Sequence, residues 1–146
     1  MIENQQHALR YDNISRSAAM LQQHIDELAE NLQGLRYCII ATDDGFPIAN
    51  TPMSPQDAEG KAALTASLEG LGETVAYESD CNDVQAVQIE CADGFIFSRA
   101  IYLDEEHRVA LLLATTGKIK PATILWYVRD MVNKIQAAFA ESAYWR

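Results

Sequence analysis

The chain has little of what breaks, staples or positively charges a fold. Seven Gly and four Pro among 146 residues are too few for a collagen-like or low-complexity chain. Three cysteines, Cys38, Cys81 and Cys91, leave an odd thiol in any pairing scheme. A reduced, cytoplasmic protein is therefore expected. Lys and Arg number 11 against 21 Asp and Glu, a formal net charge of −10. Phosphate neutralisation needs clustered Lys and Arg, so a nucleic-acid role is disfavoured, and so is binding to an anionic membrane surface. The longest apolar run, Val109 to Ala114, is far short of the ~20 residues that cross a bilayer. The opening Met1-Ile2-Glu3-Asn4 lacks the basic and apolar regions of an export signal. No membrane insertion is expected.

What is present is 49% hydrophobic residue, enough at this length for one core without disulfides or a structural metal. Residues 1–12 read as a polar, mobile arm and 13–146 as a single domain. Ile14, Ala18, Leu21, Ile25, Leu28 and Leu32 recur at spacings of 4, 3, 4, 3, 4. That predicts an amphipathic helix, capped by Asn13 or Ser15 and ended by Gly34. Leu35 to Thr42 reads as a strand. Asp43-Asp44-Gly45 predicts a type I′ hairpin turn, and Pro47 places the strand Phe46–Asn50 at a sheet edge. A second helix follows, from about Asp57 to Glu78.

Three strands come next: Val84–Cys91, Phe95–Leu103 and Val109–Thr115. An Asp93-Gly94 turn and the charged loop Asp104–Arg108 separate them. Val109–Thr115 reads as a central strand buried on both faces. Pro121 opens a last helix with the stripe Leu125, Val128, Val132, Ile135 and Phe139. The order is helix, strand, strand, helix, strand, strand, strand, helix. It predicts an α+β fold: a five-stranded antiparallel sheet between helices, a three-layer α/β/α sandwich.

Catalytic signals are thin. His7, His24 and His107 have no metal-ligand spacing, and no Cys-x-x-Cys occurs. Asp80-Cys81-Asn82-Asp83 opens like a calcium loop without its central Gly and terminal Glu, and reads as a turn. Gly117-Lys118 resembles the end of a phosphate loop, but Leu112 stands where its first Gly is needed and Ile119 where Ser or Thr would bind magnesium. Cys38 and Cys91, in strands, are expected to be inert, and Cys81, in an acidic loop, a poor nucleophile. Asp43, Asp44 and Asp93 fit turn positions. Arg36, Arg99 and Arg129 lie in regular elements, poor places for a mobile arginine finger. Neither an enzyme nor a cofactor or metal site is expected.

Two features exceed a bare core. In the second helix, Leu64, Leu68, Leu71 and Val75 form an apolar stripe. Beside it runs a ridge of small residues, Ala63, Ser67, Gly70 and Thr74. Gly60, Gly70 and Gly72 in a helix each cost about 1 kcal/mol relative to Ala, which suggests close approach by another helix. The outward side of this helix is expected to present Glu69 and Glu73 beside Thr65 and Gly72. In the last helix Trp126, with Tyr144 further on, lies off the main stripe and is a candidate partner anchor.

Together these stretches resemble the roadblock/dynein light chain family. The resemblance rests on the element order, on Leu35–Ala49 with Asp44-Gly45 and Pro47-Ile48-Ala49, and on the small-rich helix Ala58–Ala76. Asp93-Gly94 between two strands and Val109–Gly117 complete it. It covers about residues 14–140. It implies a roadblock, profilin-like fold with the second helix on one sheet face and the first and last helices on the other. It also implies a homodimer, in which the second helices pack together and the third strands join. Ala63, Ser67, Gly70, Leu71, Thr74, Val87 and Ile89 are then the dimer contacts. Family members regulate or scaffold small Ras-like GTPases, and others attach to motor complexes. The function so implied is a homodimer that binds a small Ras-like GTPase by contact, with Glu69, Glu73, Thr65, Trp126 and Tyr144 as partner-binding residues. The alternative is a small-molecule sensor or dimerisation module of a signalling system, since a sheet between helices often carries a pocket.

Overall fold

A computed structural model describes residues 16–141. Its elements are helix α1 (Ala18–Asn31), strands β1 (Leu35–Thr42) and β2 (Pro47–Asn50), helix α2 (Pro55–Glu78), strands β3 (Val87–Cys91), β4 (Gly94–Tyr102) and β5 (Arg108–Thr116), and helix α3 (Pro121–Glu141). The order is the one the sequence predicts. The arm 1–12, the expected caps Asn13 and Ser15, and Ile14 lie outside the described residues.

The five strands form one antiparallel sheet in the order β2-β1-β5-β4-β3. Hairpins join β1 to β2 and link β3, β4 and β5. The two groups meet where β1 pairs with β5, Ile39 opposite Leu112 and Ile40 opposite Leu111. In β5, Val109 to Thr115 are all buried, as its unbroken apolar run requires of a strand covered on both faces. Side chains alternate across the sheet. Cys38, Ile40, Leu111, Leu113, Phe95 and Phe97 join Leu21, Ile25 and Leu28 of α1 and Val128, Val132 and Ile135 of α3 in the main core. Ile39, Ala41 and Leu112 point the other way, to Ala58 and Ala62 of α2. The three-layer sandwich is thus in place, with one helix on one face and two on the other.

Several local expectations need correction. The β1–β2 turn is not type I′, because Gly45 alone has positive φ, +91°. Gly45 N–H donates to the Thr42 carbonyl at 3.0 Å and Thr42 N–H to the Phe46 carbonyl at 2.8 Å. This is a three-residue loop closed by a left-handed glycine. Ala92 and Asp93 are the turn residues of β3–β4, neither with positive φ, and Gly94 already belongs to β4. Strand β3 starts at Val87 rather than Val84. The chain first leaves α2 through a left-handed Asp80, φ 57°, with Cys81 N–H returning to the Ala76 carbonyl at 2.9 Å, a Schellman-type ending. In α3 the buried stripe begins at Ile124, not Leu125, and includes Met131. The broad sheet face takes a wider strip than a 3,4 seam supplies.

The largest correction concerns α2. Its buried residues are Ala58, Ala62 and Thr65. Of the apolar stripe, Leu64, Leu71 and Val75 are 63%, 61% and 57% exposed, and only Leu68 packs in part against the sheet, whereas Thr65 and Gly72, expected on the outward side, lie against the sheet. The helix is turned over relative to the sequence reading. It lies so close to the sheet that a Cβ on Gly72 would stand 2.7 Å from Val87 Cγ2. Only small side chains fit that gap, so the large ones face away. Gly60 and Gly70 meet nothing within 4 Å, so nothing within the subunit accounts for their cost.

Gly72→Val should therefore destabilise the fold by about 1–3 kcal/mol through overpacking. Gly60→Ala should stabilise it by up to ~1 kcal/mol. Denaturant unfolding of both variants checks the pair, and equal effects would contradict the close seat of α2.

Candidate functional site

Because the sheet claims the small side of α2, the opposite side is a surface of mixed small and large apolar groups. Ala63, Ser67, Gly70 and Thr74 are all exposed, beside Leu64, Leu71 and Val75. Thr74 Oγ1 returns to the Gly70 carbonyl at 3.0 Å, which keeps its hydroxyl low on the helix. Next to α2 lies the free edge of the sheet. Val87 packs on Gly72, and Ile89, opposite Ile96 on the same face, is 40% exposed. All seven expected dimer contacts thus lie on α2 and β3, two neighbouring elements on one side of the molecule. Covering Leu64, Leu71 and Val75 would each contribute roughly 1–2 kcal/mol by apolar area.

The expected partner-binding residues do not come together. Thr65 is fully buried, its hydroxyl bonded to the Lys61 carbonyl at 2.7 Å. It offers no side chain to a partner, because it is one of the small residues on which α2 rests. Glu69 is half-buried on the flank that faces the sheet. Glu73 accepts a hydrogen bond from Arg108 Nη1 at 3.1 Å. Trp126 is 62% exposed but stands on α3, across the sheet from α2. It meets Tyr127 edge to face at 5.0 Å and lines a small groove with His24, Asn31 and Lys134. Tyr144 lies outside the described residues.

Arg108 is the residue that sequence reasoning missed. It read as part of a charged loop, yet it opens β5 opposite Tyr102 and points to α2. Burial works to lower its pKa, but hydrogen bonds to Tyr102 and Glu73 and the charges of Glu69 and Glu73 raise it overall. Only its sheet register, invisible in sequence, brings it there. For Glu69, burial raises the carboxyl pKa; Arg108 pulls it down, and Glu73 and Asp43 push it further up.

The residues weighed for chemistry behave as structural groups. Asp104 accepts from the N–H groups of Glu106 and His107 at 2.7 Å each and meets the His107 ring at 2.8 Å, which closes its own loop. Arg36 donates to the Asp93 carbonyl at 3.0 Å. Among the described residues no group of three or more His, Cys, Asp or Glu is placed to hold a metal. No helix among them is long and apolar enough to cross a membrane.

With this geometry in place, comparison with known proteins is informative. Residues 21–114 match the Roadblock/LC7 domain, and the chain belongs to that family. No curated protein is significantly similar to it in sequence. Among solved structures, a Roadblock/LC7 domain from Streptomyces avermitilis superposes with a TM-score of 0.70 at 17% identity, covering 82% of this chain and 97% of that one. Myxococcus xanthus MglB gives 0.72 at 14%, covering 84% and 97%. An MglB with a tetrameric arrangement gives 0.66 at 14%, covering 88% and 91%. At these identities the likeness shows the fold.

Two outcomes follow from the site itself. Cys38 is buried and its thiol is pushed up to about 12 by that burial, whereas Cys81 and Cys91 are exposed. Cys91, expected to be inert, ends an edge strand and is open to solvent. A native-state thiol reagent should label Cys81 and Cys91 quickly and Cys38 only on unfolding. Slow labelling of Cys91 in a monomer, where no second copy can cover the β3 edge, would contradict its place there.

The raised pKa of Glu69 favours its protonated form in the fold. That stabilisation is present below the ordinary glutamate pKa and is lost as pH rises through the higher folded value. Glu69→Gln should raise Tm by a few degrees at about pH 7, with the gap closing towards about pH 4. A lower Tm for the variant at neutral pH would show that Glu69 is net stabilised as a carboxylate.

Proposed function

We propose that this chain is a homodimer that regulates or scaffolds a small Ras-like GTPase through surface contact, without supplying a catalytic group. The observation that carries this is the orientation of α2, small side to the sheet and apolar side out. An exposed row of Leu64, Leu71 and Val75 flanked by small residues is expensive in a monomer and is accounted for by a second copy of the same helix. The free β3 edge beside it offers backbone hydrogen-bonding groups for the partner's β3. Family membership supports the GTPase part of the reading, since roadblock proteins are expected to act on such partners. The net charge of −10 favours a basic partner surface and salt-sensitive association. Glu73 keeps about half of its side chain exposed beside Arg108 and is available to such a surface. Trp126 on α3 is a second, separate anchor.

The test uses Leu71→Arg, which changes a side chain that the subunit itself does not bury. Light scattering at about 10 μM should report a dimer for the wild type and a folded monomer for the variant. The cognate GTPase, loaded with a non-hydrolysable triphosphate, should bind the monomeric variant at least about tenfold more weakly, or ~1.4 kcal/mol, because the docking surface is built from two copies. A monomeric wild type would remove the basis of the reading. Undiminished GTPase binding by the monomeric variant would move the docking site away from α2.

A further inference from the structure

Beside the contact of Gly72 with Val87, the C-terminal half of α2 borders a hollow. A cavity of about 540 Å³ lies between the helix, the loop that follows it, and strands β3 and β4. This is within the range of roughly 300–1,000 Å³ usual for small-ligand sites. Its walls include Glu69, Glu73, Tyr77, Asp83, Ser98 and Tyr102. Three of these carry carboxylates. The one arginine in the lining, Arg99, stands opposite Leu111 in the sheet register and feels the charge of Arg129 on α3. Its side chain therefore lies on the other face of the sheet. Arg108, at the margin, is engaged with Glu73.

Ser98 supplies an independent sign of a ligand. It is 1% exposed, faces α2 from β4 beside Val87 and Leu112, and its Oγ has no hydrogen-bond partner. A buried hydroxyl left unsatisfied costs about 1–3 kcal/mol. No hydrogen bond to the half-buried carboxylate of Glu69 is found among the described residues either. The cavity therefore offers a partly desolvated carboxylate, an unpartnered hydroxyl at its floor and two tyrosine rings in its walls. A planar or compact cation satisfies all three, through charge-assisted hydrogen bonds to the carboxylate, a hydrogen bond to the hydroxyl and cation–π contact with the rings.

We propose that this cavity binds a guanidinium or primary ammonium group, with Glu69 as its main acceptor and Ser98 Oγ as the acceptor at its floor. The cation is carried either by a free organic molecule or by an arginine or lysine side chain of a partner. The site rests on neither dimerisation nor GTPase binding.

The experiment is an amide NMR titration of the whole chain with butylguanidinium, with uncharged butylurea as its control. Saturable shifts are expected at Glu69, Glu73, Ser98 and Ala100 with butylguanidinium and not with butylurea. Glu69→Gln should weaken binding about tenfold or more, and Ser98→Ala several-fold. Glu69→Gln removes a partly desolvated charge and Ser98→Ala an unpartnered buried hydroxyl, so both variants should stay folded. A parallel arm uses the peptide acetyl-Gly-Arg-Gly-amide. Binding at least as tight as that of butylguanidinium assigns the cation to a protein side chain, and weaker binding assigns it to a free molecule. The absence of saturable shifts up to about 10 mM, equal binding of butylurea, or unchanged affinity in both variants would overturn the proposal.

Discussion

The close seat of α2 on the sheet governs the rest of this structure. Ala58, Ala62, Thr65 and Gly72 let the helix axis come near β1, β5 and β3, and Val87 fills the space where a Gly72 side chain would stand. Since the small residues are spent on that contact, the larger apolar ones cannot also be inside. Leu64, Leu71 and Val75 are turned outward as a geometric consequence. A helix of this kind buries little apolar surface of its own, and the sheet face beneath it carries only the small cluster around Ile39 and Leu112. Most of the fold's hydrophobic stabilisation must then come from the opposite face, where α1 and α3 cover β1, β4 and β5.

The same constraint shapes the electrostatics. Around the single close contact of Gly72 with Val87, Glu69 and Glu73 border the cavity. Acidic side chains in that gap are partly desolvated, and Arg108 is drawn to them across the end of β5. The two ends of α2 thus do different work. The N-terminal half rests on the sheet through alanines and Thr65, whose hydroxyl donates to the Lys61 carbonyl of the same helix. The C-terminal half spans a polar hollow whose wall is strand β4. The exposed apolar row runs along both halves, which is what an extended contact with another helix needs.

Much of the architecture was legible. The period of the apolar residues located every helix and strand, because each element must turn one face to a core whatever its neighbours are. The unbroken run Val109–Thr115 marked the central strand, and Pro47 marked an edge strand, since Pro lacks the donor an inner strand needs. Local chemistry was less legible. One extra loop residue changed the Asp43–Gly45 turn, and the Asp80 helix ending shortened β3, because both depend on hydrogen bonds that a run of residue types does not display. The candidate site was legible only in part. The ridge Ala63, Ser67, Gly70 and Thr74 was recognisable by its spacing, but Thr65 and Glu69, expected on the outward side, lie on the side that faces the sheet.

The sequence alone determined the number, order and type of elements, the antiparallel sheet and the existence of a two-sided second helix, because these follow from side-chain period and backbone chemistry within short segments. Only the tertiary structure decided which side of that helix meets the sheet. A face of small residues and a face of large ones can both be buried, and the choice turns on how near the backbones approach. That distance is set by Val87, Ile39 and Leu112, residues on three different strands brought beneath α2 by strand register.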